Sequence, residues 1–482
     1  MERPVLYTLT SGLHGEMAPD ARQEPFIQGI EAALGVSFDC RGEDFSGYGQ
    51  GDSPVKPAND GSGSTHAALE IIYVRTGGTE GMFLERVGEG LLSDGRRSRV
   101  KPGMTQGEDA AGNRAPDQQA LLRPVLLLTS GQSNSLAASM EILSWLRQRG
   151  FAGEILHGSA GQIAARLRGE RLPGAEKAAF APGDAKKGSR GALEAGFAPG
   201  GGRSRLGGRD DEVVEVPEAY RHILDGKRFG VVGRPSDWLI SSDVDYAVVR
   251  ESLGAELVDI PIEELVREAR GDAQAPGFPL KALNIPRYGR PISQGDWDGA
   301  MAIYGALKRL VARYRLDGLT LRCFDLLTAL HNTGCLALAI LNAEGTTATC
   351  EGDIPAMLSM AVARELTGRA SFQVNLSRIE GDRLLFAHCT VPLSLVRDYC
   401  YDTHFESGIG VAIHGELPEG PVTLFKLSPD CRRMFRREAR LVANGYGDAL
   451  CRTQVVVEAP GAAEYFLRTP VGNHHILVPG KM

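Results

Sequence analysis

The chain lacks most of the features that assign a protein to a class at a glance. It has eight cysteines, but no two are spaced as CxxC, which argues against a structural zinc site. No run of eighteen apolar residues occurs, so no membrane span is expected. The opening residues, Met1 to Leu9, do not pair a charged region with an apolar stretch of signal-peptide length. There is no basic block. The 53 Lys and Arg are outnumbered by 60 Asp and Glu, for a net charge of -7. Polyanion binding needs a concentrated positive face, so neither nucleic acid nor membrane is an expected partner. No glycine loop carries a nucleotide fingerprint: GQSNS lacks the Lys of a Walker loop, and GVVGRPSD lacks GxGxxG spacing.

What is present is a long chain of ordinary globular composition. At 482 residues it exceeds a single hydrophobic core, and 43% hydrophobic with 23% charged residues suits a folded protein. Seven cysteines lie from Cys323 onwards, many inside apolar runs, and read as small reduced core residues. Reduced thiols fit a cytoplasmic location. Three stretches, 42–64, 88–120 and 168–212, are rich in Gly, Ser, Pro, Arg and Asp. They hold too little apolar surface to offset ordering entropy and are expected to be flexible surface loops.

Between these stretches, short apolar strands alternate with helical patterns. Strands are expected at Val5–Thr8, Ile71–Arg75, Pro124–Thr129, Ile155–Leu156, Phe229–Val232 and Leu257–Ile260, with a helix from Ser135 to Arg149. This alternation predicts α/β architecture: two doubly wound α/β domains, at 1–120 and 121–275. Loops after such strands bind ligands. Ser130, Asn134, Arg234, Ser236 and Asp237 are therefore candidates for substrate contact, although capping Ser and Asp at ordinary turns would look the same. A C-terminal region, 276–482, starts with helices near 297–315 and 326–341. It continues as closely spaced short strands: LLFAHCTVP, GIGVAIHG, PVTLFKL, CRTQVVVEA, EYFL and HHILVP. That texture predicts a helical layer followed by a small β-barrel.

The chemistry is expected in this last region. In CEGDIPAMLSMAVARELTG, residues 350–368, Asp353 is well placed as the N-cap of a helix, with Pro355 in its first turn and Gly368 as its stop. Capping accounts for Asp353 but not for Glu351, a carboxylate following an apolar run. Asn375 closes the strand-like SFQVN, and His388 sits in the apolar LLFAHCTVP, where a satisfied core histidine is the plainer reading. His474 and His475, if on a strand, point to opposite faces, so only one can serve a given site. Glu351, Asn375, His388 and one of the two histidines form a mixed O/N set suited to a divalent metal such as Mn²⁺.

Four pieces carry a resemblance: CEGD at 350–353, FQVNL at 372–376, AHCTVP at 387–392 and GNHHILVPG at 472–480. The C-terminal third resembles the L-fucose isomerase and L-arabinose isomerase superfamily. The resemblance implies a metal-dependent aldose–ketose isomerase with a small-molecule sugar substrate and Mn²⁺. It implies a homo-oligomer, a trimer or hexamer. It places metal ligands at Glu351, Asn375 and His474, with His388 joining them as in the arabinose branch. Glu351 and His388 become the catalytic candidates, and Asn375 and Asp353 substrate contacts. One departure matters: where the superfamily has a second carboxylate, this chain has Asn375, which can coordinate but cannot take a proton. Asp353, Glu380 or Glu406 could stand in for it.

Arg322 lies inside the apolar run LTLRCFDLL, where a lone cation would be costly. It reads either as an ion pair with Asp325 or as a contact for a phosphate or carboxylate on the substrate. Two other functions fit the residues. One is a sugar-binding or regulatory protein of the same fold without turnover, motivated by Asn375. The other is a thiol enzyme built on Cys350 or Cys389 with His388.

Overall fold

The computed structural model of the chain describes residues 3–11, 20–44, 69–88, 124–169, 213–271, 290–447 and 449–482. The stretches expected as flexible loops, 42–64, 88–120 and 168–212, lie outside these except at their first positions.

Two parallel sheets and one antiparallel barrel make up the fold. The first sheet has the spatial order Asp39–Gly42, Val5–Leu9, Glu70–Val74, Val125–Thr129, Gly153–Leu156, every pairing parallel. Residues on VLLLT divide by parity: Val125 and Leu127 enter one core, Leu126 and Leu128 another on the opposite face. A strand covered on both faces reads as a continuous apolar run for this reason. The second sheet, also parallel, has the order Thr347–Cys350, Gly318–Leu321, Arg228–Val232, Glu256–Ile260.

The barrel is built from Gly420–Leu427, His475–Pro479, Phe372–Glu380, Arg383–His388, Thr453–Glu458 and Arg433–Gly445, in that order. Gly420–Leu427 pairs back with Arg433–Gly445, which closes the ring and leaves those strands no open edge to aggregate. A short strand from the middle of the chain, Val213–Glu215, pairs onto Arg433–Phe435. Among the described residues no helix is long and apolar enough to cross a membrane.

Sheet membership crosses the divisions expected at residues 120 and 275. Val125–Thr129, expected to open a second unit, pairs with Glu70–Val74 in the first sheet. Gly318–Leu321 and Thr347–Cys350, inside the region read as a helical layer, complete the second sheet. Local periodicity identifies a strand but not its partner, and runs of four residues between helices give almost no period-two signal. EYFL is a helical segment, Ala463–Arg468, rather than a strand. Ala459, Ala462 and Phe466, all fully buried, fall at helical spacing around it. GIGVAIHG contributes Ala412–Glu416, which pairs with Asp398–Asp402 in a separate hairpin outside the barrel. The expected helix ends at Asp353 and Gly368 are where the structure has them, flanking Ile354–Thr367.

The helix Ser135–Gln148 is buried along its first twelve residues, packed between the first sheet and the barrel. Glu141 at its centre is fully buried. Its carboxylate accepts from the Ser241 amide at 2.7 Å, the Ser242 hydroxyl at 3.0 Å and the Asn473 amide at 2.8 Å. A buried carboxylate is tolerated when donors surround it. Here those donors belong to two loops that would otherwise be independent. Replacing Glu141 with Ala leaves two backbone amides buried without acceptors. The expected result is a loss of about 2–4 kcal/mol of unfolding free energy, read from urea denaturation. An unshifted midpoint would mean that water replaces the carboxylate at no cost.

Candidate active site

In parallel sheets the loops after the strands gather at one end, and ligands bind there. In this fold both parallel sheets direct such loops toward one cleft, and the barrel supplies the remaining wall. From the first sheet come Gly77, Gly78 and Glu80, after Glu70–Val74, and Asn134, Ala137 and Ala138, after Val125–Thr129. From the second come Trp238, Phe324 and Glu351, each following a different strand. The barrel contributes Asn375 and Asn473, and the loop after Asp398–Asp402 contributes Glu406. The cavity between these walls holds about 30 Å³.

Glu351 is aimed by its backbone. It has φ of 65° and is followed by Gly352 at 70°, two left-handed residues in succession. A non-glycine residue there is uncommon and marks a functional constraint when the surroundings hold it. Gly352 cannot be replaced freely, since a Cβ would lie 2.5 Å from the Arg234 carbonyl oxygen. The Ser236 amide donates to the Glu351 carbonyl at 3.0 Å, and Trp238 Nε1 donates to its Oε2 at 2.7 Å. Trp238 packs edge-on against Phe324, with ring centroids 4.9 Å apart, giving the cleft an aromatic side.

Two histidines face the other carboxylate oxygen. His474 Nε2 lies 3.3 Å from Glu351 Oε1, and His388 Nε2 lies 3.8 Å from it. One ligand atom from each of Glu351, His388 and His474 falls within 4.8 Å of the others, so the three form a possible metal-binding group. The far nitrogen of each ring is anchored: His474 Nδ1 to Asp353 Oδ2 at 2.8 Å, and His388 Nδ1 to the Thr390 hydroxyl at 2.9 Å. Histidines that bind metals are oriented in this way. His474 Nε2 is fully buried yet forms no hydrogen bond, an orphan that a cation would satisfy. Asn375 Oδ1, also buried and unpartnered, faces the same need within the cleft lining. Carboxylate, imidazole and amide oxygen are the donor types of a borderline or hard divalent cation, and the residues fit one.

Electrostatics divide the acids into two kinds. Burial pushes the Glu351 carboxyl up, but His474 and His388 outweigh it and hold the group well below its usual range. Burial acts against Asp353 as well, and Lys426 and His474 bring it below its usual value. For His474 burial is overcome by Glu351 and Asp353, which raise the imidazole to about 10. Glu406 and Glu80 behave oppositely. Burial, with Glu351 nearby, pushes Glu406 up to about 8, and burial drives Glu80 well above its usual range.

The sequence-derived candidates separate accordingly. Glu351, His388 and His474 come together, and Asn375 shares the cleft. His475 points the other way, with Tyr465 Oη 2.8 Å from its Nε2, and burial beside Lys426 pushes it down to about 3. Asp353 is fully buried behind the site as helix cap and partner of His474, away from the cleft lining where a substrate contact would sit. Arg322, considered for an anionic substrate group, spends its guanidinium on Asp237, Asp325 and the Pro235 carbonyl, so the ion-pair reading describes it. Of the loop candidates, only Asn134 lines the cleft. Ser236 supports Glu351 from behind, Arg234 and Asp237 pair with each other, and Ser130 makes a local turn. Cys350 faces Cys323, with sulfurs 2.7 Å apart, and its thiol is pushed well up by that neighbour and by burial, the reverse of a nucleophile.

Sequence reasoning missed Glu80, Trp238, Phe324 and Asn473. Only Asn473, beside His474 in GNHH, carried a local signal.

No established family model matches the chain. The sequence is 31% identical over 250 residues to sulfoquinovose isomerase of Priestia aryabhattai, covering 47% of this chain and 52% of the relative. The same figures hold for sulfoquinovose isomerase of Priestia megaterium. A third protein of that description, from Clostridium sp. strain MSTE9, is 30% identical over 137 residues. The chain spans about half the length of the curated relatives it matches.

The geometry distinguishes the adjacent histidines. His474→Ala should weaken divalent-cation binding by at least an order of magnitude in calorimetric titration, and His475→Ala should leave it within a few-fold of the parent. Asp353→Asn, which loosens His474 without touching the cation, should cost roughly 10–100-fold in affinity. Equal effects of the two histidine replacements would contradict this orientation.

Proposed function

We propose that the chain is a divalent-metal-dependent aldose–ketose isomerase working through an enediol, related to the fucose and arabinose isomerases. The observation that carries this reading is the group Glu351, His388 and His474, whose Glu351 lines a cleft with unpartnered acceptors on its other walls. Asn134, Asn375 and Asn473 each present a buried amide oxygen without a donor. Buried acceptors without donors are rare in native proteins. A ligand with several hydroxyl groups supplies the missing donors, and a sugar is such a ligand. The relatives are isomerases of sulfoquinovose, which makes that sugar the first substrate to test.

The interconversion moves a proton between C1 and C2. It needs a base at the carbon and control of charge on the oxygens. Glu351 is the base: ionised, held by Trp238 and rigid in its backbone. His388 and His474 hold the site's geometry, and Asn375 orients a hydroxyl or the cation. A cation bound by Glu351, His388, His474 and Asn375, with Mn²⁺ the first choice, would act as a Lewis acid on the sugar oxygens. The neutral Asn375 favours one other reading, a protein that binds sugar without converting it.

Deuterium exchange at C2, followed by NMR with sulfoquinovose and a panel of neutral aldoses and ketoses, separates the two. An isomerase exchanges and interconverts in Mn²⁺, stops in excess chelator, and loses on the order of a hundredfold or more in Glu351→Gln. Asn375→Asp should tighten Mn²⁺ binding. Tight sugar binding with no exchange in a metal-replete sample would leave the non-catalytic reading standing.

A further inference from the structure

An aldose–ketose conversion relocates two protons, one between carbons and one between oxygens. Glu351 can serve the carbons, but Asn375 cannot serve the oxygens because an amide does not exchange a proton with substrate at neutral pH. Three carboxylates were open for that task on sequence grounds. Asp353 is consumed: its Oδ1 caps the Ala356 amide at 2.6 Å, and its Oδ2 is shared by His474 and Lys426. Glu380 ends the barrel strand Phe372–Glu380, exposed and paired with Arg378. Glu406 alone of the three lines the cleft, together with Glu351 and Asn375.

We propose that Glu406 is the second proton-transfer group of this site, carrying a proton between O1 and O2 of the sugar while Glu351 carries one between C2 and C1. The proposal rests on the isomerase reading. From aldose to ketose, Glu351 takes the C2 proton as the Glu406 carboxyl gives its own to O1, and the enediol forms. Glu406, now a carboxylate, takes the O2 proton as Glu351 returns its proton to C1. The C2–O2 bond becomes the carbonyl, and both carboxyl groups end as they began.

Three observations support the assignment. Asn134 Nδ2 donates to Glu406 Oε1 at 2.7 Å, which fixes the carboxyl from the opposite wall. Asn134 itself has a left-handed backbone, φ 59°, and so is held in an uncommon conformation to make that contact. Burial pushes the Glu406 proton affinity up to about 8, within reach of both forms near neutral pH. Glu80 lines the cleft as well, but its burial holds it well above the usual range, which suits a permanent hydroxyl donor.

The test uses the full chain with Mn²⁺, comparing Glu406→Gln, Glu406→Asp and Glu80→Gln by turnover, C2 exchange and calorimetric Mn²⁺ binding. The expected result is a fall in kcat of about a hundredfold or more in Glu406→Gln. Mn²⁺ affinity and melting temperature should stay at the parent values, and Glu406→Asp should recover part of the rate. Turnover within tenfold of the parent in Glu406→Gln overturns the proposal. So does a rate loss matched by lost Mn²⁺ affinity or stability, which would make Glu406 structural, and so does a loss confined to Glu80→Gln. A parent protein that exchanges no sugar at C2 fails earlier, at the isomerase reading, and is distinguishable on that ground.

Discussion

The Asp353 carboxylate is completely removed from water, a position that would be prohibitive for an unpaired charge. It is stabilised by the first turn of the helix Ile354–Thr367, by His474 and by Lys426, itself fully buried on the barrel strand Gly420–Leu427. These three partners belong to the second sheet's helical layer, to one barrel strand and to the segment entering another. Satisfying one charge therefore brings the two layers into fixed register. The same bond sets the rotation of His474, and that rotation turns Nε2 toward Glu351, two residues before Asp353. The site's geometry is thus a by-product of neutralising a buried cap.

Glu141 does comparable work on the other side. Its carboxylate joins the 241–242 loop to the chain segment entering the last barrel strand, so Asn473 and His474 are positioned from the first sheet as well. Between Asp353 and Glu141 the segment Asn473–His474 has little freedom. A cleft so constrained can keep oxygen acceptors unpartnered and carboxyl groups in opposite protonation states, since the wall cannot relax to quench them.

Much of this was legible in the sequence, for identifiable reasons. Glu351 stood out because the helix beginning at Asp353 explained every neighbour except it. The alternation of strand faces left one of His474 and His475 for the site, and the structure has that division. Six strands of the first 260 residues were readable as short apolar runs, whereas Asp39–Gly42 and Val213–Glu215, at most partly buried, were not. What was not legible is non-local. Glu80 reaches the cleft only through sheet order, and Trp238 only because Gly352 permits close approach of the loop before it. Lys426 sits in the apolar strand PVTLFKL with nothing nearby in sequence to mark its buried partner. The helix at Ala463–Arg468 was mistaken for a strand because its aromatic pair, Tyr465 and Phe466, has β propensity that packing overrides.

The strand His475–Pro479 lies between Phe372–Glu380 and Gly420–Leu427, and without it the barrel ring is open. His474 immediately precedes that strand, and its partner Asp353 is 121 residues earlier in the chain. During synthesis Glu351 and His388 leave the ribosome long before the residue that completes their set. A nascent chain therefore offers a cation only a partial set of ligands. On the metal-dependent reading proposed above, cation binding belongs to a time after barrel closure, when the protein is already committed to its topology.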